Sequence, residues 1–121
     1  MIRRMECVSI YTGNLAASLA FYTGIGLTEA WRIERVSDAG APLTLVGLKF
    51  PDSTSSELVL SDNSEVPFTE IELLVDDVRQ SYREMQAMPG ITWIREPFAT
   101  ESGHVAVMEA PDGNVFVLVG A

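Results

Sequence analysis

The stretch Met108–Glu109–Ala110–Pro111–Asp112–Gly113–Asn114–Val115–Phe116–Val117–Leu118–Val119 decides how this chain folds. Pro111 presets φ for a turn, and Asp112, Gly113 and Asn114 tolerate the tight or left-handed backbone that completes it. Residues 115–119 form an unbroken apolar run rich in β-branched side chains, the pattern of a strand covered on both faces. Residues 104–108, on the other side of the turn, read as its hairpin partner. This hairpin is the last piece of a structure that the chain spells twice.

Working backwards, residues 91–95 read as a strand carrying Trp93. Before it, Val78, Tyr82 and Met85 make a helical stripe. Asp76 and Asp77 supply its N-cap, with Gln80 placed as in a capping box, and Pro89–Gly90 stop it. Residues 68–75 alternate Ile71, Leu73 and Val75 against Glu70, Glu72 and Leu74, as a strand does. Residues 62–67 are the linker. Ahead of it the same series runs once more. Val8 and Ile10 alternate with Cys7, Ser9 and Tyr11, Asn14 caps a helix on Leu15, Leu19 and Tyr22, and Gly24 and Gly26 end it. Strands follow at 27–36, with Trp31 and Ile33 on one face, at 43–50 and at 57–60.

Adding 63 to Val8, Ile10, Asn14, Leu15, Ser18, Leu19 and Tyr22 gives Ile71, Leu73, Asp77, Val78, Ser81, Tyr82 and Met85. Polarity is kept at almost every step. Each copy is strand–helix–strand–strand–strand and is too small to bury its own sheet, so two copies are expected to pair. The expectation is one domain over 1–121, with modules at about 1–62 and 66–121.

Composition narrows the function. With 121 residues, 47% of them apolar, the chain can bury a core without staples. A net charge of −9 argues against nucleic acid and anionic membranes as partners. Cys7 is the single cysteine, which excludes an internal disulfide and suits a reducing cytoplasm. The basic start at Met1–Ile2–Arg3–Arg4 gives way to Glu6 without a signal-peptide core, and no apolar run nears the roughly 20 residues of a membrane span. There is no phosphate-cradling glycine loop, nucleophile elbow or zinc-type cysteine spacing.

Val8–Ser9–Ile10–Tyr11, Asn14–Leu15, Ser18–Leu19–Ala20–Phe21–Tyr22 and Gly26–Leu27 together resemble the opening of a vicinal-oxygen-chelate protein. That superfamily includes glyoxalase I, extradiol dioxygenases, methylmalonyl-CoA epimerase and the fosfomycin- and bleomycin-resistance proteins. Val75–Asp76–Asp77–Val78 and Ala110–Pro111–Asp112–Gly113–Asn114 are similar to its second-half signatures. The resemblance implies an α+β fold of two tandem βαβββ modules whose curved mixed sheets enclose a small-molecule cavity, and commonly a homodimer. It also implies a metal ligand on the first strand of each module and a Glu on the last. Those positions fall on Cys7, Glu70, Glu57 and Val117. No expected histidine is kept, and Val117 has no donor.

Strand alternation independently gathers Cys7, Ser9, Tyr11, Glu70 and Glu72 opposite the helices, with Glu57, Val59, Val117 and Val119 beside them. His104 is expected to share that face with Ala106 and Met108. Two same-face carboxylates, Glu70 and Glu72, repel and should raise one pKa. Glu101, Glu109 and Asp112 read as hairpin surface. Trp31 and Trp93 read as core, interface or ligand platform.

Three readings of the face compete. Cys7, Glu57 and Glu70, with or without His104, bind a divalent metal and make a lyase, isomerase or dioxygenase. Alternatively the metal is lost, no cofactor is held, and the cavity sequesters a drug or metabolite. Carboxylates beside Trp31, Trp93 and Tyr11 suit a cationic, partly aromatic ligand. In the third reading the carboxylates line a wet groove of an interaction protein. The second reading is adopted, with the metal enzyme as the alternative. Its ligand-binding set is Cys7, Ser9, Tyr11, Trp31, Glu57, Glu70, Glu72, Trp93, His104 and Val117.

Overall fold

Two short polar side chains start the two helices. Asn14 Oδ1 accepts the Ala17 backbone N–H at 3.0 Å, and Asp77 Oδ1 accepts that of Gln80 at 2.9 Å. Each satisfies one of the donors that a helix start leaves without a partner. Gln80 completes only half of a capping box, because its side chain donates to Glu84 Oε1 at 2.9 Å. The computed structural model describes residues 1–121. Its elements are β1 (Ile2–Tyr11), α1 (Leu15–Gly24), β2 (Thr28–Val36), β3 (Pro42–Lys49), β4 (Glu57–Ser61), β5 (Glu70–Val75), α2 (Val78–Met85), β6 (Thr92–Thr100), β7 (Gly103–Glu109) and β8 (Val115–Gly120).

The chain forms two compact units, Cys7–Thr69 and Met1–Glu6 with Glu70–Ala121. In the first unit the strands lie in the order β2-β3-β4-β1. β2 with β3 and β3 with β4 are antiparallel, while β1 and β4 run parallel, with Cys7 beside Glu57 and Tyr11 beside Ser61. The second unit repeats the plan as β5-β8-β7-β6, with β5 and β8 parallel. Both are βαβββ, and the fold is the α+β arrangement that the repeat implies.

Each helix covers one face of its sheet. Under α1, Leu27, Val46, Leu48 and Leu60 are buried, with Ile10, Leu15, Leu19, Tyr22 and Leu58 packed against them. Under α2 the buried set is Val75, Val78, Met85, Ala106, Met108 and Leu118, with Leu73, Ile91, Trp93 and Phe116 beside it. Tyr82 meets Trp93 edge-on, ring centroids 4.7 Å apart. At the closing hairpin, Gly113 has φ 88° and its N–H donates to Ala110 O at 2.9 Å, so the turn falls where Pro111–Asn114 placed it.

Two strands are longer than their sequence patterns. β1 begins at Ile2, where Arg3 pairs with Asp76 at 2.7 Å, both side chains in solvent. β6 runs on to Thr100 through Pro97, with register shifts on both sides of Arg95. A proline survives there because β6 ends its sheet and is bulged, so the missing N–H breaks no ladder.

The strand pairing corrects two expectations. Trp93 stands opposite Met108, and His104 lies between Ala99 and Gly120 on the side of Ala106 and Met108. All face α2, so Trp93, His104, Ala106 and Met108 do not share a face with Glu70 and Glu72.

Leu60 is fully buried, so Leu60→Ala is expected to cost about 2–5 kcal/mol in urea unfolding. Asp77→Ala, which removes only the cap, is expected to cost about 1 kcal/mol.

Candidate functional site

Since Ile10, Leu58, Leu60, Val46 and Leu48 turn toward α1, the alternate residues of the same strands form the opposite face of the first sheet. Register sets them in rows: Trp31–Gly47–Val59–Ser9, and next to it Ile33–Leu45–Ser61–Tyr11. Glu57 lies beside Cys7 at the adjoining step. Cys7, Ser9, Trp31, Glu57 and Tyr11 are therefore brought onto one face, with Cys7 and Ser9 buried.

Trp31 reaches this face by a bulge. Glu29 pairs with Leu48 and Trp31 with Gly47, so Ala30 is the extra residue. Without it Trp31 would sit opposite Val46 and point at α1. The indole then occupies the space over Gly47, where a Cβ would run into Cε2, Nε1 and Cδ2 of the ring. Its Nε1–H donates to Glu57 Oε1 at 2.9 Å, bridging β2 to β4 across β3.

The second unit has the same bulge and other chemistry. Trp93 pairs with Met108 and Arg95 with Val107, leaving Ile94 as the extra residue. Arg95, not Trp93, is therefore the counterpart of Trp31. The rows of this face read Glu72–Val117–Val107–Arg95 and Leu74–Val119–Val105–Phe98. The Arg95 guanidinium stands 4.0 Å over the centroid of Phe98. Glu70, two residues before Glu72, shares the face. Glu109, opposite Val115 and Thr92, joins it half-buried instead of lying on the hairpin surface. Its parity with Val105 and Val107 is the signal that places it.

Burial alone raises the Glu70 carboxyl above its ordinary value, so desolvation, not repulsion from Glu72, is the cause. His104, on the α2 side, keeps its Nδ1 buried without a partner.

The donors do not suit the divalent ion that the resemblance implies. Cys7 and Glu57 are two adjacent donors, but one Glu57 oxygen is taken by the indole. In the second unit Glu72 stands beside Val117, whose side chain has no donor atom. No group of three or more His, Cys, Asp or Glu side chains is placed to hold a metal.

Raised by burial, Glu70 takes up its proton at higher pH in the folded chain than in the unfolded one, so its ionised form costs stability. Glu70→Gln is expected to melt above wild type at pH 7.5. The gap should close as pH falls through the raised value to the unfolded value of about 4.3. Melts across pH check this, and a gap that widens in acid would refute it.

The family model for the Glyoxalase/Bleomycin resistance protein/Dioxygenase superfamily matches residues 4–118. No curated protein matches the sequence. Among solved structures, methylmalonyl-CoA epimerase from Mycobacterium tuberculosis is 15% identical with a TM-score of 0.77, covering 98% of this chain and 88% of that one. A variant of the Streptomyces coelicolor epimerase, in complex with 2-nitronate-propionyl-CoA, is 19% identical with a TM-score of 0.77, covering 100% and 99%. A hypothetical protein from Bacillus halodurans C-125 is 15% identical with a TM-score of 0.74, covering 98% and 94%. These likenesses are of fold. With the family match spanning nearly all of both βαβββ copies, the chain belongs to the glyoxalase/bleomycin resistance/dioxygenase superfamily.

Proposed function

We propose that this protein binds a small organic molecule without a tightly held metal and acts by sequestering it. The observation that carries the reading is the use made of Glu57. The one glutamate kept at a family ligand position is hydrogen-bonded to the Trp31 indole, which joins a carboxylate to an aromatic surface. That pairing favours an organic ligand, cationic and partly aromatic, over an ion. A net charge of −9 draws such a ligand in. The ligand-binding set is Cys7, Ser9, Tyr11, Trp31 and Glu57 on one unit, and Glu70, Glu72 and Val117 on the other. Trp93 and His104 act from the helix side, as support. Homodimerisation and a cytoplasmic setting, where Cys7 stays reduced, complete the proposal. The same fold accommodates an organic ligand elsewhere, since a methylmalonyl-CoA epimerase structure holds methylmalonyl-CoA and NH4+.

The test is metal content by mass spectrometry of purified, reduced protein, with Glu57→Gln and Glu70→Gln alongside. The expected result is sub-stoichiometric metal in all three and no thermal shift with Ni²⁺, Mn²⁺, Fe²⁺ or Zn²⁺. Near-stoichiometric metal in wild type, lost in both variants, would overturn the proposal in favour of a metal-dependent lyase, isomerase or dioxygenase. Light scattering is expected to give twice the chain mass of 13.2 kDa.

A further inference from the structure

We infer that Gly47 is the specificity-determining residue of the first unit's sheet face, where it reserves space for the Trp31 indole and so makes a platform for a planar organic cation. This rests on the reading of the protein as a binder of small organic molecules, and it names the ligand class and the residue that selects it.

A Cβ stands out from a sheet, and one built on Gly47 would meet Cε2, Nε1 and Cδ2 of Trp31 together. The ring therefore lies broadside on the sheet. With its inner face on the glycine and the residue half-buried, its outer face is the stacking surface. The bond from Nε1 to Glu57 Oε1 at 2.9 Å fixes the rotation of the ring and sets a carboxylate at its edge. Indole is the strongest of the aromatic cation–π partners, and a hydrogen bond to a carboxylate enriches its π-density further. A flat ring bearing a positive nitrogen meets both features at once. A neutral ring gains little from Glu57, and a small tetrahedral ammonium uses little of the flat surface.

The second unit supplies an internal comparison. It places Val107 at the Gly47 position, Arg95 at the Trp31 position and Val115 at the Glu57 position. The backbone plan is shared, including the bulge, and the platform is not. Glycine within the strand run Leu45–Val46–Gly47–Leu48 marks a close approach, since it weakens a strand that nothing needs to touch.

The experiment uses three probes at pH 8, by calorimetry and tryptophan emission: N-methylquinolinium, neutral quinoline and tetramethylammonium. Wild type is expected to bind N-methylquinolinium roughly tenfold or more tighter than either of the others, one decade being a modest cation–π and charge contribution. Glu57→Gln should erase the preference over quinoline. Gly47→Ala should lose at least about tenfold toward N-methylquinolinium with unchanged far-ultraviolet circular dichroism, because the ring is displaced. Trp31→Leu removes the platform without adding a Cβ to β3 and should lose as much, so it carries the test if Gly47→Ala does not fold. Equal affinity for N-methylquinolinium and quinoline in wild type, or a preference untouched by Glu57→Gln, overturns this inference while leaving an organic ligand in place. A Trp31→Leu protein that binds like wild type overturns it as well. Stoichiometric metal with no binding of any probe removes the broader reading, and this one with it.

Discussion

Each unit depends on a parallel pairing between its first and last strands, β1 with β4 and β5 with β8. Parallel neighbours cannot be joined by a tight turn, so the chain must cross over. It crosses by way of a helix and two further strands. That route leaves the helix on one side of the sheet and a bare face on the other. The face opposite the helix is thus a by-product of how the sheet closes, and it is where the donors of both units collect. Cys7 beside Glu57 and Glu72 beside Val117 lie on this face of their own units, one step apart in the shared plan.

The second shaping device is the bulge in the strand after each helix. By inserting Ala30 and Ile94, the chain turns the following side chain away from the helix and onto the open face. Bulges commonly re-aim side chains in this way. Here one device, used twice, delivers an indole in one copy and a guanidinium in the other. The two copies share their geometry and have diverged in what they present. Gly47 and Val107 record that divergence at the residue underneath.

The order of elements was legible because its signals are local. Asn14 and Asp77 announce helix starts, Pro111–Asp112–Gly113–Asn114 announces a hairpin, and period-two alternation marks β1 and β5. Alternation also placed Cys7, Ser9, Tyr11, Glu57, Glu70 and Glu72 correctly, since β1, β4 and β5 are regular. It gives no reading in β6, where extra residues flank Arg95. Trp93 resembles Trp31 only as a tryptophan on the strand after a helix; it precedes both extra residues, and its position matches Glu29. His104 differs for another reason. Its parity with Ala106 and Met108 holds, but which side of β7 faces α2 depends on packing that no local pattern encodes. The contact of Trp31 with Gly47 lies across strands and has no sequence signature beyond the glycine itself.

The chain's first six residues group with the second unit, although they precede the first. A cut in the segment between β4 and β5 would therefore not yield two self-sufficient halves. The N-terminal fragment would carry away a piece of its neighbour's structure, including the Arg3 partner of Asp76. Each fragment would lack part of its own unit, which makes that segment a candidate split point for a reconstitution reporter.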